Sequence, residues 1–143
     1  MSNYHKTFYL GGGMTNLEPD ERNGWRNEME ELCSEYYHVN LFNPCNHWDI
    51  GDPNVNDREA MDYDIRRLRD ADVLVVNFND PSSLGTMAEI AIAYDRRKPI
   101  LGICSSEEIM CKLHPWQIAM CDHFFKSVED VCEYLAMHYC FND

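Results

Sequence analysis

The chain has 143 residues, the length of one domain, and its formal net charge at pH 7 is −13. An acidic surface repels a phosphate backbone, so this charge argues against a nucleic acid polymer as partner and leaves small molecules open. No apolar run reaches the roughly 20 residues that span a bilayer, and no basic start followed by an apolar run marks a signal peptide. We expect one domain over residues 1–143, cytoplasmic and without a membrane partner.

The first half of the chain alternates between apolar runs and amphipathic stretches. The run "TFYLGG" at residues 7–12 predicts a buried strand that ends in a tight turn. The next stretch has a helical stripe at i, i+4, i+7 and i+11, formed by Trp25, Met29, Leu32 and Tyr36. A short strand, "HVNLFNP", precedes residues 45–56, whose Gly, Pro, Asn and Asp content predicts a loop long enough to be functional.

The second half repeats the alternation. Residues 57–70 have a helical pattern, and "DVLVVNF" after them is typical of a central strand that is covered on both faces. A turn at 79–83 leads into a helix that reaches about Arg97, and "PILGIC" and "DHFF" predict two more strands. Ser127, with Asp130 three residues later, is the expected cap of a closing helix.

This alternation predicts an α/β fold with three layers and a five-stranded, mostly parallel sheet, doubly wound in the flavodoxin-like (Rossmann-like) manner. Ligands of such folds bind beyond the carboxyl ends of the strands. Four segments fall at such ends, namely residues 11–16, the loop from 43, residues 80–85 and the segment after 104.

The cysteines and histidines do not indicate a metal site. Seven cysteines are many for this length, but the number is odd and no C-x-x-C pair occurs, which favours free thiols over a disulfide framework. Cys111 with His114 and Cys121 with His123 lack the closely spaced pairs of a structural zinc site. We therefore expect no metal.

Two carboxylates lie where apolar side chains are expected. Glu89 belongs to a run of small or apolar residues from 84 to 94, and Asp64 lies three residues after Met61 and four before Leu68, on their side of the helix. An ionised carboxylate in such surroundings costs free energy unless it is paired. Each acid can be a cap or a paired core residue, but two together favour a catalytic site.

The two acids suggest different roles. Ser82 or Ser83 can cap the helix of Glu89, whose positive end would keep this carboxylate ionised, and Gly85 leaves room for a ring to approach it. Such an anion is a candidate nucleophile. Asp64, if it is more desolvated, can pass a proton to a leaving group, which is the division of labour that cleaves glycosidic bonds.

A glycine turn follows the first strand. Gly11, Gly12 and Gly13 allow the backbone to approach a ligand closely, and Tyr9 can direct its hydroxyl toward that ligand. The turn matches neither of the two common phosphate-binding patterns, G-x-G-x-x-G and the P-loop, so a simple tight turn remains an alternative.

Three segments, "TFYLGGGMTN", "DYDIRRLRDADVLVV" and "SLGTMAEIAIAY", together resemble the nucleoside 2-deoxyribosyltransferase family, which includes hydrolases of deoxynucleoside 5′-monophosphates. The resemblance implies that Glu89 attacks the anomeric carbon and forms a covalent deoxyribosyl-enzyme. It also implies that Tyr9 orients Glu89, that Asp64 binds and protonates the departing base, and that no cofactor is needed. The substrate would be a small nucleoside or nucleotide.

The chain departs from both branches of the family. Transferases that act on free nucleosides commonly have an aspartate six residues before the nucleophile, where this chain has Ser83, as the monophosphate hydrolases do. Conversely, the basic residue that such hydrolases tend to have near Gly12 is missing, and Met14 in "MTN" is similar to the transferases. Arg22 and Arg26 could supply charge, although surface solvation is the simpler role for each.

The family builds its sites across subunit interfaces, which implies a homodimer or a larger homo-oligomer with shared active sites. The region of His114 would be a neighbour's contribution, unless this residue only packs, and Asn142 and Asp143 are a further candidate, unless they form a frayed tail. His47 and Trp48, in the long loop, could stack on a base or bond to it. A non-catalytic nucleotide-binding domain remains the alternative to an enzyme.

Overall fold

A computed structural model of the chain describes residues 5–36, 39–49 and 51–140, so Asn142 and Asp143 lie outside the described residues. In the described ranges, five strands and seven helices follow one another in the order β1 (Lys6–Gly12), α1 (Pro19–Cys33), β2 (Val39–Phe42), α2 (Pro44–His47), α3 (Asp57–Asp70), β3 (Val73–Asn77), α4 (Leu84–Asp95), β4 (Ile100–Ile103), α5 (Glu107–Met110), α6 (Pro115–Met120), β5 (His123–Phe125) and α7 (Val128–His138).

The five strands form one sheet in the order β2-β1-β3-β4-β5, and all four strand pairs are parallel. Helices α1 and α7 cover one face of the sheet, and α3, α4 and α6 cover the other. This is the strand order of flavodoxin-like sheets, and it confirms the predicted three-layer α/β fold. The switch in winding direction lies between β1 and β3, where such folds bind ligands.

Strand β3 is buried on both faces, as its unbroken apolar sequence predicts. Val73 and Val75 belong to the core under α1 and α7, whereas Leu74 and Val76 belong to the core under α3 and α4. None of the four is accessible to solvent. The alternation of side chains along a strand therefore divides this run between two cores.

An aspartate fixes each of two strands to its neighbour by the same pair of bonds. Asp72, just before β3, donates its N–H to the carbonyl of Thr7 and accepts the Thr7 N–H on Oδ2, both at 2.8 Å. Asp122, before β5, makes the same two bonds with Ile100, also at 2.8 Å. These bonds set the register at the amino ends of the strands.

Three details differ from the sequence prediction. The predicted loop at residues 45–56 overlaps a one-turn helix, α2, whose cap Asn43 accepts the N–H of Cys45 at 2.9 Å. Helices α5 and α6 were not expected, because four and six residues are too few to show a helical period. Helix α4 ends at Asp95, two residues before Arg97, whose φ of 58° stops a helix.

The remaining expectations concern thiols and membranes. All seven cysteines lie in the described part of the chain, and all are free thiols. Within the same residues, no helix has the length and apolar composition that a bilayer crossing requires, and no group of three His, Cys, Asp or Glu side chains is placed to hold a metal ion.

Two glycines should respond oppositely to replacement by alanine. Gly24 is exposed within α1 with no atom near its missing Cβ, so Gly24→Ala should stabilise the protein by about 0.5–1 kcal/mol through helix propensity. A Cβ at Gly102 would lie 3.0 Å from the rings of Phe78 and Phe124, so Gly102→Ala should destabilise it by about 1–3 kcal/mol. Urea unfolding of both variants measures this, and equal effects would contradict the packing described for β4.

Candidate active site

A cavity of about 570 Å³ opens where β1 and β3 end, between α3 and α4. Six of the predicted site residues line it, together with ten others. The predicted ones are Gly12, Met14, Asp64, Ser83, Gly85 and Glu89. The others are Thr15, Asn16, Met61, Ile65, Asp80, Ser82, Leu84, Thr86, Ala88 and Ile92. The two anomalous carboxylates of the sequence therefore face one space.

Helix α4 positions Glu89. The hydroxyl of Ser83 accepts the N–H of Thr86 at 3.3 Å and so caps the helix, which places Glu89 in its second turn. Its Oε1 lies over β1, where a Cβ at Gly11 would approach to 3.5 Å. A Cβ there would be in ordinary contact with the carboxylate, and Gly11 does not line the cavity.

The ionisation of Glu89 differs from the sequence prediction. The helix dipole was expected to keep this side chain anionic, but burial outweighs it and raises the pKa of Glu89 from 4.5 to about 7. The hydroxyl of Tyr9 and the positive charge of Arg26 lower this pKa, and the charge of Asp64 raises it further. At neutral pH, Glu89 is thus divided between the neutral and the anionic form.

Tyr9 lies beneath Glu89 and is fully buried. Burial and the charges of Glu89 and Asp64 raise the pKa of its hydroxyl well above the ordinary value, so the phenol stays protonated. The hydroxyl acts on the Glu89 carboxyl, but the geometry falls short of a hydrogen bond, and the hydroxyl has no partner among the described residues. A buried donor without a partner costs free energy. A small side-chain movement would let the Tyr9 hydroxyl donate a hydrogen bond to the Glu89 carboxyl.

Asp64 lies on α3 and is half-buried at the cavity wall. Three residues were expected on the core-facing side of α3. Of these, Leu68 is buried, whereas Met61 and Asp64 line the cavity. Burial raises the pKa of Asp64, while a hydrogen bond from Trp48 and the charge of His47 lower it. The desolvated, proton-holding role was expected for Asp64, but burial raises the pKa of Glu89 as well.

The glycine turn packs against the loop that follows β3. The N–H of Gly13 donates to Asn79 Oδ1 at 2.9 Å, and a Cβ at Gly13 would lie 2.7 Å from the Cβ of Asp80. A Cβ at Gly12 would lie 3.0 Å from the carbonyl oxygen of Asn77. Gly12 lines the cavity, but Gly13 does not, so close packing of two loops accounts for Gly13.

His47 and Trp48 do not line the Glu89 cavity. They line a separate cavity of about 470 Å³ near α1, because α2 turns their rings toward Tyr63. The rings of His47 and Tyr63 are stacked at 4.2 Å, and the indole Nε1 of Trp48 donates to Asp64 Oδ1 at 2.9 Å. The structure therefore does not support direct contact of His47 or Trp48 with a base bound in the Glu89 cavity.

His114 also lies outside this cavity. It caps α6 by accepting the N–H of Trp116 on Nδ1 at 3.1 Å, and it lines an apolar groove of about 430 Å³. The groove shares Ser82, Ser83 and Leu84 with the cavity. His114 therefore lies beside the site but does not face the cavity of its own chain.

Arg26 was assigned to the surface, and this was wrong, because its side chain is 0% exposed. Its Nε and Nη2 donate to the carbonyls of Leu10 and Gly12 at 3.2 and 3.3 Å, and a further bond joins it to Arg22 O. Sequence held a signal for this: Arg26 lies three residues before the buried Met29, so it shares the inward side of α1.

A family model for nucleoside 2-deoxyribosyltransferase matches residues 8–132. No curated protein sequence matches the chain.

Solved structures share the fold at low sequence identity. A 2-desoxiribosyltransferase from Leishmania mexicana is 17% identical with a TM-score of 0.72, over 94% of this chain and 99% of that one. A 2-deoxyribosyltransferase from Bacillus psychrosaccharolyticus is 16% identical with a TM-score of 0.61, over 90% and 91%. A CMP N-glycosidase from Clostridium botulinum is 12% identical with a TM-score of 0.64, over 93% and 99%.

The family match spans most of the length and includes Tyr9, Asp64 and Glu89. The structural neighbours have the same three-layer fold over nearly the whole chain. The chain belongs to the nucleoside 2-deoxyribosyltransferase family.

Proposed function

We propose that the protein cleaves the N-glycosidic bond of 2′-deoxynucleosides through a covalent deoxyribosyl-Glu89 intermediate and transfers the sugar to another nucleobase or to water. The observation that carries this proposal is the placement of Glu89 and Asp64 on two helices around one cavity at the strand ends. The charge of each raises the pKa of a common neighbour, Tyr9, so the two carboxyls are close enough to act in one site.

The first step breaks the glycosidic bond. An ionised Glu89 oxygen bonds to the anomeric carbon while the bond to the base nitrogen breaks, and Asp64 gives its proton to the departing base. The transition state resembles an oxocarbenium ion, so a fixed carboxylate beside it stabilises it more than it stabilises the substrate. In the second step an acceptor base or water attacks the same carbon, Asp64 takes the proton back, and Glu89 leaves.

Tyr9 and Arg26 assist by favouring the ionised form of Glu89. Both lower its pKa against the effect of burial, which keeps part of the protein in the reactive anionic form near neutral pH. Tyr9 additionally has a donor hydroxyl without a partner among the described residues, which can hold the carboxylate in the attacking orientation.

The charge of the cavity favours a nucleoside over a nucleotide. Its ionisable lining consists of Asp64, Asp80 and Glu89, and no basic side chain of the described residues lines it. A 5′-phosphate would bring further negative charge among three carboxyl groups.

The second candidate function is hydrolysis of 2′-deoxynucleoside 5′-monophosphates. Two observations favour it: Ser83 lines the cavity at the start of α4, and a CMP N-glycosidase shares the fold. A non-catalytic nucleotide-binding role is the third possibility, in which Glu89 and Asp64 would only hold the ligand by hydrogen bonds.

A second copy of the chain is the proposed occupant of the apolar groove beside the cavity. Leu84 is 86% exposed at the rim that groove and cavity share, and Trp116 is 64% exposed across the groove. Burying such side chains is favourable, and a copy seated there would cover the cavity mouth and bring its own His114 region close to the site.

Exchange of deoxyribose between bases tests the proposed function. With a deoxynucleoside and a second free base, the wild type should form the exchanged nucleoside, and Glu89→Gln should reduce its rate by about a thousandfold or more because the nucleophile is lost. Chromatography measures the products, and circular dichroism controls for folding. Cleavage confined to 5′-monophosphates would support the second candidate, and ligand binding without any bond cleavage would support the third.

The ionisation of Glu89 should appear in the stability of the protein. Between pH 4.5 and about 7, the folded state holds a proton on Glu89 that the unfolded chain has released, so stability falls as the pH rises. Relative to wild type, Glu89→Gln should gain about 2 to 3 kcal/mol in unfolding free energy from about pH 5 to pH 8. Urea unfolding across this range measures the gain, and a constant difference would contradict the raised pKa.

The groove should govern assembly. Leu84→Glu places a charge on the exposed rim, so it should leave the monomer folded and shift the protein from oligomer to monomer. Sedimentation or light scattering measures the mass. Met137→Glu, at a site 71% exposed on α7 across the sheet, is the matched control and should leave the mass unchanged. A wild-type monomer at high concentration would contradict the proposed interface.

A further inference from the structure

Asp64 lies between two cavities and is held from the side opposite to the proposed substrate. It lines the cavity that contains Glu89, whereas Trp48 lines the neighbouring cavity near α1. The two side chains are joined by the bond from Trp48 Nε1 to Asp64 Oδ1, at 2.9 Å. Trp48 thus reaches the candidate acid without reaching the space where a nucleoside would bind.

A cluster of rings fixes the direction of the Trp48 indole. Its ring meets Tyr63 edge-on at 5.6 Å and His47 edge-on at 4.6 Å, while His47 stacks on Tyr63. The backbone is fixed as well, since the N–H of Trp48 donates to the carbonyl of Pro44 at 3.1 Å. The guanidinium of Arg67 lies 5.5 Å from the Tyr63 ring centre and adds a cation–π contact to the cluster. The indole therefore offers its donor in one direction.

We propose that Trp48 is a positioning residue for Asp64, whose carboxyl it holds so that a single oxygen, Oδ2, carries the proton that goes to the departing base. This inference rests on the proposed function. The reason is the chemistry of the donor: an indole N–H can only donate, so the oxygen that it contacts must accept. A neutral Asp64 held in this way keeps its proton on the other oxygen.

The same bond also prepares the product of proton transfer. When Asp64 gives its proton to the base, the carboxylate that forms keeps the Trp48 bond, which is stronger to a charged acceptor than to a neutral one. Trp48 therefore makes Asp64 a better acid in surroundings that otherwise oppose its ionisation. The other titratable groups that act on or with Asp64 are His47 and Cys45 from α2, Tyr9 from β1 and Glu89 from α4.

A spectroscopic test needs no turnover. The chain has three tryptophans, so the indole N–H of Trp48 in a ¹H–¹⁵N spectrum is the resonance that Trp48→Phe removes. It should shift with pH as Asp64 titrates, and Asp64→Asn, whose amide oxygen still accepts the bond, should abolish that shift. A Trp48 resonance with the same pH response in wild type and Asp64→Asn would overturn the proposal.

A kinetic test compares two leaving groups. 2′-Deoxyguanosine needs a proton on its departing base, whereas 7-methyl-2′-deoxyguanosine already carries a positive charge and loses a neutral base without an acid. Trp48→Phe keeps an aromatic ring against Tyr63 and removes only the donor. In a single turnover, which reports only the first step, it should slow release of the base from the first substrate by about tenfold or more and from the second by less than about twofold.

Controls separate this role from a structural one. Asp64→Asn should show the same selectivity with a larger loss, and Tyr134→Phe on α7, across the sheet, should leave both substrates unaffected. An equal loss on both substrates, or no loss, in Trp48→Phe would overturn the positioning role. A wild type inert on purine and pyrimidine deoxynucleosides alike would overturn the proposed function and this role with it, while the indole resonance would still decide whether Trp48 and Asp64 are bonded.

Discussion

The carboxyl of Glu89 lies in surroundings that resist its ionisation, and the rest of the site depends on how the chain offsets that cost. Burial alone favours the neutral acid, which cannot attack a sugar carbon. The Tyr9 hydroxyl and the buried charge of Arg26 both oppose burial, and the outcome is a pKa of about 7. A full ion pair would have lowered this pKa further, but it would also have tied the carboxylate to a cation instead of leaving it for the substrate.

The end of β1 keeps the two opposite charges apart. Successive residues of a strand face opposite sides, so Gly11 lies against Glu89 on one face of the sheet and Gly12 lies against Arg26 on the other. The carbonyls of Leu10 and Gly12 occupy donors of the guanidinium, which removes the need for a carboxylate partner. Arg26 therefore acts on Glu89 through the field across the strand, since the low dielectric of the interior lets a charge act at that distance.

Sequence predicted the fold and the location of the cavity because both follow from local patterns. The apolar run of β3 and the strict alternation of elements fix a doubly wound sheet, and Glu89 is conspicuous in an apolar helix. The ionisation of Glu89 was missed because desolvation depends on α3 and β1, which are distant in sequence. The direction of Trp48 could not be predicted, because it depends on the single turn capped by Asn43, and a segment that short has no period to reveal it.

Since burial raises the pKa of both Glu89 and Asp64, the two carboxyls differ in function through their partners. Glu89 has Tyr9 and the charge of Arg26, while Asp64 has Trp48 and the charge of His47. The charge of Asp64 raises the pKa of Glu89, so a proton on Asp64 makes Glu89 easier to ionise. The reaction needs the form with one proton held on Asp64, a nucleophile beside an acid. The mutual repulsion of the two groups disfavours the form in which both carboxyls are ionised, and the partners of each carboxyl decide which of them keeps the remaining proton.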